Sequence, residues 1–389
     1  MIYFLSDLFK FIRNGLSVKH KLDSEGLPVT RIETIASAKI NLKKVGYAGV
    51  DINNARDYLL EDGDILFSHI NSVSHIGKCA IYKKSMGELV HGMNLLCFRV
   101  DTSKLLPKYA LYLLRSKPFK NQLAKSIKKS VNQASVTTSD IKKIKLEIPS
   151  LIKQKHISNL LDTAHKIISK RELAIKKLDQ LAQSAFTDIF GDPVKNDKNF
   201  KEEKLGNVCQ FYGGSTLPTP EEYQIKKQGV HLMKVSDMNS EGNKKFIKKC
   251  REWSSHKHSK SSVCPIDTLI IPKRGGAIGT NKKRLTLIPV LLDPNLMGIK
   301  ANEKYLNTQY LYQWFLQFDL STIASGSSVP QLNKKDLFDI SIQIPKLNLQ
   351  SKFSEIANQI QKTRESYNKL FVFKKNLISS IENKTFSKT

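Results

Sequence analysis

The sequence predicts an α+β protein built twice over, with two mixed-β domains carrying short helices and a long helix after each. Three observations predict it. The two halves of the chain repeat one another in order, and each half opens with short β-type runs punctuated by Gly, Asn and Ser. Each half then ends in a long uninterrupted stretch of helical periodicity.

The repeat is visible as matched segments. Gly26-Leu27-Pro28-Val29-Thr30-Arg31-Ile32 parallels Gly229-Val230-His231-Leu232-Met233-Lys234-Val235, and Asp64-Ile65-Leu66-Phe67 parallels Asp267-Thr268-Leu269-Ile270, both at an offset of 203. Ile76-Gly77 then matches Ile278-Gly279, Asn94-Leu95 matches Asn295-Leu296, Leu111-Tyr112 matches Leu311-Tyr312, and Ile148-Pro149 matches Ile344-Pro345. The offset drifts only from 203 to 196, as small loop deletions produce. Within each half the β-type runs (Cys79-Ala80-Ile81-Tyr82, Leu95-Leu96-Cys97-Phe98, Leu269-Ile270-Ile271) precede a short helical stretch, Lys108 to Ser116 or Thr308 to Phe318.

Residues 151 to 190 contain no proline, and apolar residues recur there at heptad spacing. Ile157, Ala164, Leu178 and Ala185 form one seam, Leu160, Ile167, Ala174 and Leu181 the other, and Leu161, Ile168, Ile175 and Ala182 widen the stripe. Arg171 and Asp188 interrupt it. A shift of 196 generates the second helix, with Phe353, Ile356, Ile360, Tyr367, Leu370, Leu377 and Ile381 on the stripe and Thr363 and Lys374 interrupting it. The interruptions differ, so the partner expected for each stripe is the other helix. Forty helical residues make a rod of about 60 Å, longer than one small domain needs, which favours a spacer. Gly191-Asp192-Pro193 stops the first helix, and Lys195 to Lys204 reads as a linker. The expected segments are 1–149, 150–192, 193–345 and 346–389.

Composition narrows the function. The 389 residues suffice for two or three globular units, and 40% apolar content supports packed cores. Lys and Arg number 63 against 35 Asp and Glu, a formal charge of +28, so the expected partner is a polyanion: nucleic acid first, an acidic membrane surface second. No run of about 18 uncharged apolar residues is present, which argues against a membrane span. The first ten residues, interrupted by Asp7, do not read as a signal peptide, and five scattered cysteines suit a reducing cytoplasm.

At this point the residues carry a family resemblance. Gln180 through Pro193, with Leu181-Ala182, Ala185-Phe186 and Ile189-Phe190-Gly191-Asp192-Pro193, resembles the end of the central conserved helix in specificity subunits of type I restriction-modification systems. Asp64-Ile65-Leu66-Phe67-Ser68 resembles a strand of the family's target-recognition domains, and Gly326-Ser327-Ser328-Val329-Pro330-Gln331-Leu332-Asn333 the Ser-rich loop before the conserved helix. Ile148-Pro149 with Gln154, and Ile344-Pro345 with Gln350, resemble the start of that helix. The resemblance implies two tandem target-recognition domains separated by two long helices paired antiparallel. It implies a non-catalytic subunit that selects double-stranded DNA for methyltransferase subunits, two of them, and through these for restriction/translocase subunits. In the first half Val131-Asn132-Gln133-Ala134-Ser135 replaces the Ser-rich loop.

DNA recognition needs cations for phosphates and short polar side chains for base edges. Phosphate candidates are Arg31, Lys83, Lys84, Lys128 and Lys129 in the first domain, and Lys234, Lys273, Arg274, Lys282, Lys283 and Arg284 in the second. The segment from Ser68 to His75 is rich in base-edge groups, with Ser68, His69, Asn71, Ser72 and His75 as candidates. Its counterpart, Pro272-Lys273-Arg274-Gly275-Gly276-Ala277, differs in chemistry, as expected of two domains reading different half-sites. Tyr212, Ser215 and Thr216 mark a further loop, and Ser327 and Ser328 the Ser-rich one.

Catalytic chemistry is not expected. The chain has no Pro-Pro dipeptide for an adenine methyltransferase, and Gly275-Gly276-Ala277-Ile278-Gly279-Thr280 lacks the Lys-Ser/Thr of a phosphate loop and reads as a turn. Cys250, His256, His258 and Cys264 have an atypical spacing for zinc and read as a basic loop, so neither metal nor cofactor is expected. Two other classes stay open on the residues alone: a diverged DNA-modifying or cleaving enzyme, and a non-specific RNA-binding scaffold.

Overall fold

The computed structural model describes the chain except residues 20–24, 131–132, 194, 215–228, 255–262, 327–328 and 387–389, and of 254, 369–379 and 381–384 it describes the backbone alone. The chain divides into two compact units, Met1–Glu172 with Lys369–Thr389, and Leu173–Asn368.

The first unit is organised on an antiparallel sheet in the order Phe9–Asn14, Leu96–Val100, Ile65–Phe67, Cys79–Ile81. The central strand is buried at all three positions, so both sheet faces are covered. Strand alternation sorts its side chains. Ile65 and Phe67 join Leu96, Phe98 and the helices Pro107–Arg115 and Lys117–Ala124, while Leu66 joins Ala80, Tyr82 and Cys97 on the other face. The second unit repeats this sheet as Cys209–Gly213, Leu296–Ala301, Leu269–Pro272, Arg284–Thr286, with Phe246–Ile247 added at the edge. A second sheet there pairs Val230–Met233 parallel to Val290–Leu292, joining Leu232 to Leu291. The first unit keeps that pairing as a single parallel bridge, Val29 to Val90.

In each half the first strand clasps the last: Ile2–Phe4 pairs with Lys145–Glu147, and Glu202–Lys204 with Ser341–Gln343. The linker expected over Lys195 to Lys204 therefore ends three residues early, because its last residues satisfy their backbone groups in a sheet. The expected turn at Gly275–Thr280 is a 3-10 helix.

Both long helices span 40 residues, Leu151–Phe190 and Leu347–Phe386. In the second unit Phe186 and Phe190 pack on Phe353, with ring centroids 5.4 and 5.7 Å apart, and Arg364 donates to Asp179. Moving back along the first helix from 186 to 179 moves forward along the second from 353 to 364, so the two run antiparallel. In the first unit Ile157, Leu161 and Phe386 share a core, and Phe386 lies 5.6 Å from the Tyr109 ring.

The helix seam differs from expectation. Ile157 and Leu161 face inward, with Ala164 and Ile168 packed against the same core, but Leu160 and Leu181 are exposed. The buried positions are Gln154, Ile157, Ser158 and Leu161 towards one end and Phe186 and Phe190 at the other. Helix geometry allows either Leu160 or Leu161 beside Ile157, and the core packed against the helix selects Leu161. The stripe residues Leu370, Leu377 and Ile381 and the interruption Lys374 lie outside the described side chains.

The duplication reaches single hydrogen bonds. Gln154 Oε1 accepts from Leu106 N at 2.9 Å, and its amide donates to Lys104 O (2.8 Å) and Pro149 O (2.9 Å). Gln350 Oε1 accepts from Asn307 N at 2.7 Å, and its amide donates to Tyr305 O (2.9 Å) and Pro345 O (2.8 Å). Each glutamine is fully buried and locks a long helix to the loop preceding a short one.

Candidate nucleic-acid interface

In each unit, the loop leaving the central strand pairs with the segment that precedes the last short helix. In the first unit Ile70–Asn71 pairs with Ala134–Ser135, which pairs in turn with Lys128–Lys129. In the second, Arg274 bridges Gln331, Gly275 N donates to Pro330 O at 2.8 Å, and Leu332 N donates to Lys273 O at 2.9 Å. These are corresponding places in the repeat, and they join segments about 60 residues apart in each half.

The first loop is a closed turn. Gly77 N donates to Ser68 O (2.9 Å) and Ser68 N to Lys78 O (2.8 Å), with Gly77 at φ +81°, a conformation open to glycine at no steric cost. Ile76 is buried beneath it, as Ile278 is beneath the second loop.

The structure sorts the candidate residues. Asn71, Ser72 and His75 lie on one small element with exposed Lys128 and Lys129 two strands away. Lys273 and Arg274 lie together beside Gln331, whereas Tyr212 sits on the strand Cys209–Gly213, separated by Leu296–Ala301 from the strand they follow, and packs against the apolar cluster of Met233, Cys264 and Leu296. Ser68 and His69 are buried instead. His69 Nε2 lies 3.2 Å from the Asn14 amide, and burial lowers the imidazole to about 4, so the ring is neutral and accepts this bond. Lys283 is 1% exposed, donates to Phe318 O at 2.7 Å and to Asn281, and is lowered to about 8 by burial. As placed, it ties a loop and does not face a phosphate. Arg284 is spent on Met238 O and Lys283 O, and Lys282 bonds Asn239. Lys234 pairs with Glu252 at 2.7 Å, and Arg31 with Glu33 at 3.5 Å.

Lys83 and Lys84 sit elsewhere. Ile65 opposes Ile81 and Phe67 opposes Cys79, so both lysines are at the opposite end of the sheet from the loop. Lys83 lines a cavity of about 1160 Å³ there with Lys39, Lys108, Lys155, Lys166 and Lys170. Its acids are engaged: Asp162 accepts from Lys108 and from Tyr112 OH (2.6 Å), and Asp62 accepts from Lys84 N (3.0 Å). Sequence reading missed this cavity, although Lys155, Asp162, Lys166 and Lys170 recur on one helix face at steps of seven, four and four residues. It also missed Gln331 as a site residue, since only the pairing with Arg274 brings it there. Ser215, Thr216, Ser327, Ser328, His256 and His258 lie outside the described residues. Cys250 and Cys264 are buried in a shared apolar cluster. Burial raises both thiols to about 12 and leaves them as core groups.

A tandem α+β protein with the same paired loops in each half, cationic in both but different in side chains, has the architecture of a two-part reader. The chain belongs to the type I restriction modification DNA specificity domain family, whose model matches residues 1–177 and again 197–372. It is 30% identical over 361 residues to the putative type I restriction enzyme MjaX specificity subunit of Methanocaldococcus jannaschii, covering 89% of this chain and 83% of that one. Over 185 residues it is 25% identical to the EcoKI specificity subunit of Escherichia coli, 46% of this chain and 40% of that one. Among solved structures, a chain from a type I R-M system described for its complex assembly and conformational transition superposes with TM-score 0.60 at 17% identity. The S subunit of a type I system from M. genitalium superposes with TM-score 0.58 at 14% identity. Each covers 99% of this chain and 96% of its own, a likeness of fold.

Proposed function

We propose that this chain is the DNA-reading subunit of a type I restriction-modification complex. Each unit reads one half of a split target, and the antiparallel helices set the unread spacer between the halves. The observation that carries this reading is the duplicated loop pairing: a corresponding frame, strands in one half and single bridges in the other, each with its Gln154 or Gln350 clamp, holds Asn71 in one half and Lys273-Arg274 in the other. A shared frame with divergent contents fits two half-sites of different sequence.

Asn71, Ser72, His75, Lys128, Lys129, Tyr212, Lys273 and Arg274 are the residues assigned to DNA, cations to phosphates and short polar groups to base edges. The segments 1–149 and 193–345 act as target-recognition domains, and 150–192 and 346–389 as spacers. Catalysis belongs to the partners, two methyltransferase subunits and, through them, restriction/translocase subunits, working on DNA in the cytoplasm. Exposed Leu160, Leu173 and Leu181 on the first long helix are apolar surface suited to such partners. Among the described residues no helix is long and apolar enough to cross a membrane.

The test is co-expression with type I methyltransferase subunits, followed by genome-wide mapping of methylated adenines. A split motif that disappears without this chain is the expected result. Methylation that is indifferent to the chain refutes the assignment.

A further inference from the structure

We infer that Val73 is a specificity-determining residue that reads the C5-methyl group of a thymine in the half-site of the first unit; the inference rests on the DNA-reading role proposed above. Among the described valines two are exposed, Val73 at 51% and Val329 at 62%, and both lie in the paired loops. A lone exposed valine needs no explanation. Two, one in each half on opposite partners of the loop pairing and near exposed cations, call for a ligand with an isolated apolar spot.

The geometry of the turn leaves Val73 as its outward group. His75 N and Ile76 N both donate to Ser72 O, at 2.9 and 3.2 Å, which places Val73 and Ser74 at the tip. The polar side chains there are occupied with one another. Ser72 Oγ lies 2.9 Å from His75 Nδ1 and 3.1 Å from Ser74 Oγ, Ser74 Oγ lies 3.2 Å from His75 Nδ1, and Asn71 Oδ1 accepts from Ser72 N at 2.7 Å. These bonds stiffen the turn and hold its polar groups in fixed directions around Val73. A ligand at the tip meets the valine methyl pair beside the Asn71 amide and His75 Nε2.

Lys128 and Lys129 stand two strands away, about 10 Å at ordinary strand spacing, within reach of a backbone whose bases meet the tip. In the major groove the apolar group on a base edge is the thymine methyl. Valine is suited to it because its branched χ1 loses little freedom on contact. Val329 offers the same chemistry inside the span closed by Ser325 and Gln331, whose reciprocal bonds measure 2.9 and 2.8 Å, beside Arg274.

The experiment uses the full chain with its methyltransferase subunits and duplex probes carrying the mapped motif, each thymine replaced singly by deoxyuridine. For the unsubstituted protein, loss of one methyl group in one half-site weakens binding about three- to tenfold. Val73→Ala binds the thymine and uracil probes alike at that position, Val73→Ile keeps the discrimination, and retained affinity for the uracil probe shows that the variant is folded. Discrimination unchanged in Val73→Ala overturns the inference, as does a half-site without thymine on either strand. Failure to bind any motif-bearing duplex defeats the DNA-reading role itself, whereas a recognised motif with unaltered thymine preference defeats Val73 alone.

Discussion

His69 and His91 are the two described histidines that burial lowers to about 4. His91 gives up part of that shift through its 3.0 Å bond to Leu95 O. Both rings are neutral in the fold, while the unfolded chain takes up protons below about pH 6.5. Their contribution to stability is therefore fully present above about pH 6.5 and is lost as pH falls toward about 4. Urea midpoints at about pH 7.5 and about pH 4.5 check this, and equal midpoints contradict it. The two sequence candidates Lys128 and Lys129 differ from Lys283 in exposure and not in type. Replacing both with Gln is expected to reduce the slope of log affinity against log salt by about 2, while Lys283→Met leaves the slope unchanged and affects folding. Residue type was legible in the sequence at these positions. Whether a lysine meets water or a carbonyl was not, because that depends on Phe318, 35 residues away.

At the scale of elements, the loop pairing and the glutamine clamps carry the arrangement. Each clamp satisfies one buried N–H and two carbonyls, so Gln154→Leu strands three backbone groups and is expected to cost about 3 kcal/mol, with Gln350→Leu similar. Thermal melts of the two variants check this. Measured separately, the losses test whether the two halves are equivalent frames. The sequence marked both glutamines through their place after Ile148-Pro149 and Ile344-Pro345, but not their partners. The helix stripe was legible as to period but not as to phase. Leu160 and Leu181 fit the heptad spacing as well as Leu161 does, and which series is covered depends on what the rest of the fold lays against it.

At the scale of the molecule, the two 40-residue helices predict a geometric experiment. Inserting one heptad in each lengthens the rod by about 10 Å, about three base pairs of B-form DNA. Methylation mapping is expected to show the same two half-sites with a correspondingly longer spacer. An unchanged spacer removes the helices from their proposed role.

The sequence by itself determined that the chain is duplicated, that each half is mixed β followed by a long helix, and that its partner is a polyanion. Periodicity, repeat order and net charge are properties of the chain and survive without coordinates. Tertiary structure decided which cations are surface and which are struts, which helix face is covered, and that the loop after one strand meets a segment about 60 residues later. These depend on burial and on pairing between distant residues, and local pattern carries no record of either.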